Sequence, residues 1–430
     1  MAINKRSLIL GATALSSIAV VVTGAGIHLS QGQAFFRESP KELIDEVWQL
    51  IDHEYVDDSF NEQDWEAVRN DYLNRDYSTQ EDAYVAIREM LDTLEDPYTR
   101  FMDPQEFRNM QIDTSGELTG VGIQISQEEE TDDIVVVSPI EDTPAFEAGV
   151  MTGDIIRSID GQSTSGMDLN DAVNLIRGPV NSEVTLTLER EGENLDLTLT
   201  RARIEIHPVR FSYQPETEGG IGYIRLTQFS ANASAEMKEA IEALEAREVV
   251  GYILDLRSNP GGLLYSSIDI AQMWLPDGTI VSTVNREGTV DESVASDRAL
   301  SDKPLVVLVD GGSASASEIL SGALQDNERA ALVGTTTFGK GLVQSVRSLA
   351  DGSGIAVTIA KYLTPDGRDI NENGIEPDFV VELTEEDREA LSKDRDKIGT
   401  EDDPQYAKGL EVLTDMIRGG RQSASAAGVE

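Results

Sequence analysis

The chain is predicted to be an α+β protein of several domains: a helical N-terminal region, an inserted β-rich module and an α/β core. Three observations carry this prediction. Apolar residues recur at three- and four-residue spacing before residue 110, and short strand-like runs punctuated by Gly and Asp fill residues 115–203. From 220 to 381, apolar β-branched runs then alternate with amphipathic segments. A length of 430 residues has room for two or three domains, and a 40% apolar content allows each a core.

In the helical region Leu43, Val47, Leu50 and Ile51 share one face. A second helix starts at Ser78 or Thr79 as cap, carries Ala83, Ile87, Met90 and Leu91 as its stripe, and ends at Asp96-Pro97-Tyr98-Thr99. Strands are expected at 122–126, 134–138, 154–159, 184–189 and 195–201, with one helix at 168–176. In the core, 221–226 is a strand and 233–248 a helix with Met237, Ile241 and Leu244 on one face. The runs 249–254 and 305–309 read as strands buried on both faces, and 354–360 as a further strand. A charged tail follows, helical at 407–417 and then Gly/Ser/Ala-rich and expected to fray.

The domain boundaries expected are 1–34 (targeting element), 35–112 (helical region), 113–204 (β-rich module), 205–385 (α/β core) and 386–430 (tail). Lys5 and Arg6 precede an uncharged apolar stretch, 8–27, and Gly32-Gln33-Ala34 offers a cut before Phe35. This pattern points to export, to a periplasm or a compartment like the thylakoid lumen. Cleavage and retention as a membrane anchor both remain open, as does self-association.

Lys and Arg number 34 against 79 Asp and Glu, a net charge of −45. So acidic a surface repels nucleic acid, which is excluded as a partner. The excess is spread along the chain, and a surface that stays hydrated in strong salt is one explanation. That explanation predicts loss of folding at low ionic strength. With no cysteine, disulfides, thiolate metal sites and a cysteine nucleophile are all excluded. Neither a metal nor a cofactor is expected. The three histidines are His28, His53 and His207, and a Ser–His–Asp arrangement would need one of the last two.

Serine chemistry points elsewhere. The strand 305–309 runs into Asp310-Gly311-Gly312-Ser313-Ala314-Ser315-Ala316-Ser317-Glu318 and then a helical pattern. A tight strand-to-helix turn of small residues exposes a serine hydroxyl and aims helix-start N–H groups at one point. An ordinary N-cap turn would look the same. A lysine can serve as base when burial keeps it neutral. Lys340 stands alone in a stretch otherwise uncharged from 330 to 346; a lysine reaching to the surface is the bland alternative. The segment from Gly334 to Lys340 also satisfies a phosphate-loop pattern, but Gly341 stands where Ser or Thr is needed and a strand-like run follows, so nucleotide binding is rejected.

Four blocks together resemble the carboxyl-terminal processing (tail-specific) proteases: Asp96-Pro97-Tyr98-Thr99-Arg100-Phe101, the run Asp255-Leu256-Arg257 through Asn259-Pro260-Gly261-Gly262, Ser313-Ala314-Ser315-Ala316-Ser317-Glu318-Ile319, and Thr337-Phe338-Gly339-Lys340-Gly341 with Gln344. A fifth, Thr364-Pro365 through Pro377-Asp378, follows in the family's order, and the likeness covers about 40–385. The resemblance implies a crotonase-like or ClpP-like core. It also implies a nucleophile at Ser315, the middle serine, a general base at Lys340, an orienting Gln344, and oxyanion donors at Gly261 and Ala316. If Lys340 and Gln344 lie on one strand, their spacing puts both on one face.

The β-rich module resembles a PDZ domain. Its carboxylate-binding loop would be Thr119-Gly120-Val121-Gly122-Ile123, which would capture the free C-terminus of a protein or peptide substrate that adds as a strand. Arg177 falls on a loop that in this family couples peptide binding to activity, and Asn181 stands where the family usually has glycine, a position at which Asn tolerates positive φ. The function implied is a serine endopeptidase acting near C-termini. The competing reading is an inactive PDZ scaffold.

Overall fold

The computed structural model describes Val20–Val21 and residues 39–427, less 129–130, 141, 191, 216–218 and 289. Apart from Val20–Val21, the predicted targeting element lies outside the described residues. The chain divides into two compact units, Gln111–His207 and the remainder.

The larger unit is built on two sheets. The first runs in the order Val209–Gln214, Ile221–Leu226, Tyr252–Asp255, Leu305–Val309, Ala331–Gly334, Phe379–Val380. All neighbours are parallel except the first pair. Its central strands read as unbroken apolar runs because both faces are covered. Every residue of Leu305–Val309 is buried, each side chain adding roughly 1.5–3 kcal/mol relative to exposure. Helices Ala233–Glu245, Leu264–Gln272 and Ala316–Asp326 bring Met237, Ile270 and Leu320 into the core on one side. On the other side lies Pro404–Ala427, whose Tyr406, Val412 and Leu413 pack with Tyr223, Ile253, Val306 and Leu308. The helix expected at 407–417 runs from Pro404 to Ala427, and its Tyr406–Leu413 part covers one face of the sheet.

The second sheet runs Val20–Val21, Leu342–Ser348, Gly354–Leu363, Thr279–Asn285, Val290–Val294, with Arg100–Met102 also paired to Gly354–Leu363. The N-terminal helices pack on it: Leu43, Val47, Ile51, Ile87 and Met90 share a core with Ile355 and Val357. Their starts are set by capping boxes, Ser39 with Glu42 and Thr79 with Asp82. Trp48 Nε1 donates to Trp65 O at 2.8 Å, joining Pro40–Glu54 to Trp65–Asn74.

The smaller unit is a five-strand sheet in the order Ile123–Gln127, Ile134–Pro139, Ile155–Ile159, Glu183–Arg190, Glu193–Thr200, extended by Gln162–Ser163. Helices Pro144–Glu147 and Leu169–Ile176 close a core of Val136, Ile156, Ala172, Leu186 and Leu188. Ile123–Gln127 is one of its two edge strands, Glu193–Thr200 the other.

Candidate active site

Ser315 immediately precedes helix Ala316–Asp326 with φ 57° and ψ −111°, a conformation forbidden to most side-chain-bearing residues. Such backbone persists only where its surroundings hold it. Ser313 Oγ donates to Leu256 O at 2.9 Å. Ala314 N–H and Ser317 Oγ both donate to Asn259 O, at 3.1 and 2.8 Å. Two of the three serines thus clip this turn to the segment 255–262. The third hydroxyl, Ser315 Oγ, is buried and has no hydrogen-bond partner. Resemblance alone singled out the middle serine; the hydrogen bonding supplies a local reason.

Glu318, fully buried one turn into the helix, joins the serine turn to the lysine turn. Its Oε2 accepts the N–H groups of Ser315 at 2.7 Å and Lys340 at 2.9 Å. Its Oε1 accepts Gly339 N–H at 2.7 Å and Thr337 Oγ1 at 2.6 Å. Burial raises its pKa and the four donors oppose that rise. Phe338 N–H donates to Ser313 O at 3.0 Å, and Tyr362 OH donates to the carbonyls of Lys340 and Ser315. Sequence reasoning quoted Glu318 within a motif without giving it a role. The signal was there: a Ser-x-x-Glu spacing with the acid set in an otherwise apolar helix start.

Lys340 is 3% exposed, with Nζ 4.6 Å from the centroid of the Tyr98 ring. Burial, then the charge of Arg100, lowers its pKa from 10.5 to about 8 against the opposing pull of Asp96 and Glu318. Gln344 is also buried. The expectation that spacing on one strand aligns it with Lys340 needs correcting. Lys340 lies ahead of strand Leu342–Ser348, and a register shift falls between Val343 and Gln344. The irregularity, not simple alternation, sets where Gln344 points. Gln344 Nε2 donates to Thr358 Oγ1 at 3.5 Å, while Gln344 Oε1 has no partner. The strand after Lys340, where a phosphate loop would have a helix, agrees with rejecting that motif.

Gly261 has φ 102°, and a Cβ there would stand 2.7 Å from Ala314 O and 3.0 Å from Ala316 N, so only glycine fits against the serine turn. Its N–H donates to Asn259 Oδ1 at 2.9 Å, which commits this expected oxyanion donor elsewhere in this state. Ala316 opens the first helical turn, where N–H groups have no partner within the helix.

Behind this segment lies a buried charge cluster that sequence reasoning missed. Arg257 donates to Asp255 through Nε and Nη2, at 2.9 and 2.7 Å, and to Asp403 through Nη1 and Nη2, at 2.9 and 2.7 Å. Tyr223 OH donates to Asp255 at 2.7 Å. The paired carboxylates hold the guanidinium well above its usual range.

In the smaller unit, Ala145 N–H donates to Val121 O at 2.8 Å and Ile140 N–H to Gly122 O at 2.9 Å. Trans peptides with carbonyls pinned this way turn the N–H groups of Gly122 and Ile123 to the opposite side. Gly122 has φ 81°, and a Cβ would meet Thr143 Oγ1 at 2.2 Å. Gly120 ends the preceding strand Glu117–Gly120. Arg177 is half-buried beyond helix Leu169–Ile176. Its loop is shaped by buried Arg201, which donates to the carbonyls of Leu175, Ile176 and Glu183. Asn181 adopts φ 67°, the conformation for which Asn can replace glycine. His53 and His207 are exposed, and among the described residues no group of His, Asp or Glu is arranged to hold a metal.

The peptidase family S41 model matches residues 220–381 and the PDZ domain model residues 135–190. A carboxyl-terminal-processing protease of Synechocystis sp. is 45% identical over 410 residues, 94% of each chain. The chain belongs to the carboxyl-terminal-processing proteases of peptidase family S41. Carboxyl-terminal-processing peptidase 2 of the Arabidopsis thaliana chloroplast shares 42% identity over 79% of this chain and 68% of its own. A solved photosystem II D1 C-terminal processing protease matches with TM-score 0.56 and 38% identity over 80% of this chain and 94% of that one. The mixed α+β architecture and the PDZ domain agree with this membership. Among the described residues of this protease, no helix is long and apolar enough to cross a membrane.

Proposed function

We propose that this protease is a serine endopeptidase that cleaves exported proteins near their C-termini, with Ser315 as nucleophile and Lys340 as general base. One observation carries the reading. A buried serine hydroxyl without a hydrogen-bond partner sits on a strained helix start, and one carboxylate, Glu318, binds that turn to a buried lysine of lowered pKa.

Ser315 Oγ attacks the scissile carbonyl while neutral Lys340 Nζ takes its proton. The tetrahedral oxyanion forms beside Ala316 N–H and the Gly261 turn, with the helix dipole behind it. The intermediate collapses, the C–N bond breaks, and Lys340 returns the proton to the leaving amine. Water, deprotonated by the same amine, then hydrolyses the acyl ester. Gly261 N–H must exchange Asn259 Oδ1 for the oxyanion if it takes part. Gly120, Val121, Gly122 and Ile123 receive the substrate's terminal carboxylate, and Arg177, beyond helix Leu169–Ile176, couples that binding to activity.

Export follows from the N-terminal pattern and fits relatives that are chloroplastic. The test is cleavage of a peptide with an apolar C-terminal tail. Wild type cleaves it and is labelled by a serine-reactive phosphonate, and Ser315→Ala does neither. Undiminished cleavage by Ser315→Ala ends the proposal.

A further inference from the structure

Within the block Asp96-Pro97-Tyr98-Thr99, the Tyr98 ring lies against Lys340 Nζ and Asp96 bears on its charge, but neither contact accounts for the buried Thr99. It lies where the second sheet receives Arg100–Met102, beside the strand that faces Gln344. Thr99 is 4% exposed, Thr358 1% and Gln344 1%, so the polar atoms between them must satisfy one another.

The hydrogen bonds there have a direction. The Asp96 carboxylate accepts Thr99 Oγ1 at 2.7 Å and Tyr98 N–H at 2.9 Å. Thr99 has one hydroxyl proton and gives it to Asp96, so its oxygen can only accept, and it takes Thr358 N–H at 3.0 Å. With that proton committed, the 3.3 Å contact between the two threonine hydroxyls uses the proton of Thr358. Thr358 Oγ1 is then an acceptor, and Gln344 Nε2 donates to it at 3.5 Å. Each donor points toward Asp96. The amide nitrogen of Gln344 is committed, and its Oε1, buried and without a partner, is left as an acceptor. A reversed amide would set a carbonyl oxygen against Thr358 Oγ1, which has no proton left to give. The same turn sets the Tyr98 ring against Lys340 Nζ.

We propose that Asp96 and Thr99 are positioning residues for the base. Through Thr358 they fix the orientation of Gln344, so that its Oε1 accepts from the Lys340 amine while Nζ exchanges protons with Ser315. This rests on the Ser315–Lys340 reading above. Asp96 and Thr99 act through Thr358 and decide which end of an amide faces the lysine.

The experiment compares Thr99→Val and Thr99→Ser in the full chain, measuring kcat, KM and the pH dependence of kcat/KM on the same peptide, with Ser315→Ala alongside. Thr99→Val should lower kcat about tenfold with KM nearly unchanged, and Thr99→Ser should restore it. Loss of an acceptor for the ammonium form should also move the acid limb of the Thr99→Val profile to lower pH. A merely loosened site would admit water and move that limb upward. An unchanged kcat in Thr99→Val, an equal defect in Thr99→Ser, or an upward shift of the limb each overturns the inference. Activity in Ser315→Ala overturns instead the reading on which it rests.

Discussion

The pH dependence of cleavage follows most directly from the site. In the role proposed for it, Lys340 takes a proton only when neutral, and its pKa is lowered from 10.5 to about 8, first by burial and then by Arg100. At pH 7 an ordinary lysine would be neutral in about one molecule in three thousand; with a pKa near 8 the share is about one in ten, a gain of roughly 300-fold. The sign is fixed by the role: protonation below the pKa removes the base. The profile of kcat/KM should fall about tenfold per pH unit below 8 and level off above it. The perturbation that tests the cause is Arg100→Gln. Removing a positive neighbour favours the ammonium, so the limb moves to higher pH and activity at pH 7 falls. The assay is initial-rate cleavage of a fluorogenic peptide from pH 5.5 to 9.5 at constant ionic strength. A flat profile from 6 to 9, or a limb that Arg100→Gln moves downward, would refute the argument.

Further outcomes follow from single residues. Glu318→Gln turns an amide NH₂ toward two of the four donors now bound, each clash or unmet donor costing about 1–3 kcal/mol, so phosphonate labelling of Ser315 should be lost even where the chain still folds. Asp403→Ala leaves Arg257 half-paired in the interior and should destabilise by about 3–5 kcal/mol, read from denaturant midpoints. Ser313→Ala and Ser317→Ala each remove one clip and should cost about 1 kcal/mol of stability while keeping measurable cleavage, unlike Ser315→Ala. Gly122→Ala sets a Cβ into Thr143 and should weaken binding of a C-terminal peptide, read by fluorescence anisotropy, with phosphonate labelling retained.

What could be read in advance was whatever depends on neighbours in sequence. The strand 305–309 and the helix after Ser315 showed themselves by an apolar run followed by helical spacing, and Thr79 by its capping position. Asn181 was expected to tolerate a positive φ and adopts one. Strands Thr279–Asn285 and Val290–Val294 escaped because one is only partly buried and the other mostly exposed, leaving little apolar pattern to find. The roles of Glu318 and Arg257 depend on partners distant along the chain, Lys340 and Asp403, which no periodicity reports. The tail helix was expected at 407–417 from its own spacing, but the surface that Tyr406, Val412 and Leu413 pack against belongs to a sheet formed much earlier in the sequence, which local pattern does not report.

That long-range pairing bears on when the protein can become a protease. Ribosomes deliver the chain from its N-terminus, and the segment beside Ser315 depends on Arg257, whose second carboxylate is Asp403, 146 residues on. A nascent chain that already contains Ser315 and Lys340 still has an Arg257 lacking one of its two counter-charges and a sheet with one face uncovered. Competence should therefore arrive late in synthesis, once the last helix has docked. A chain so organised stays harmless to the machinery that makes it until helix Pro404–Ala427 is in place.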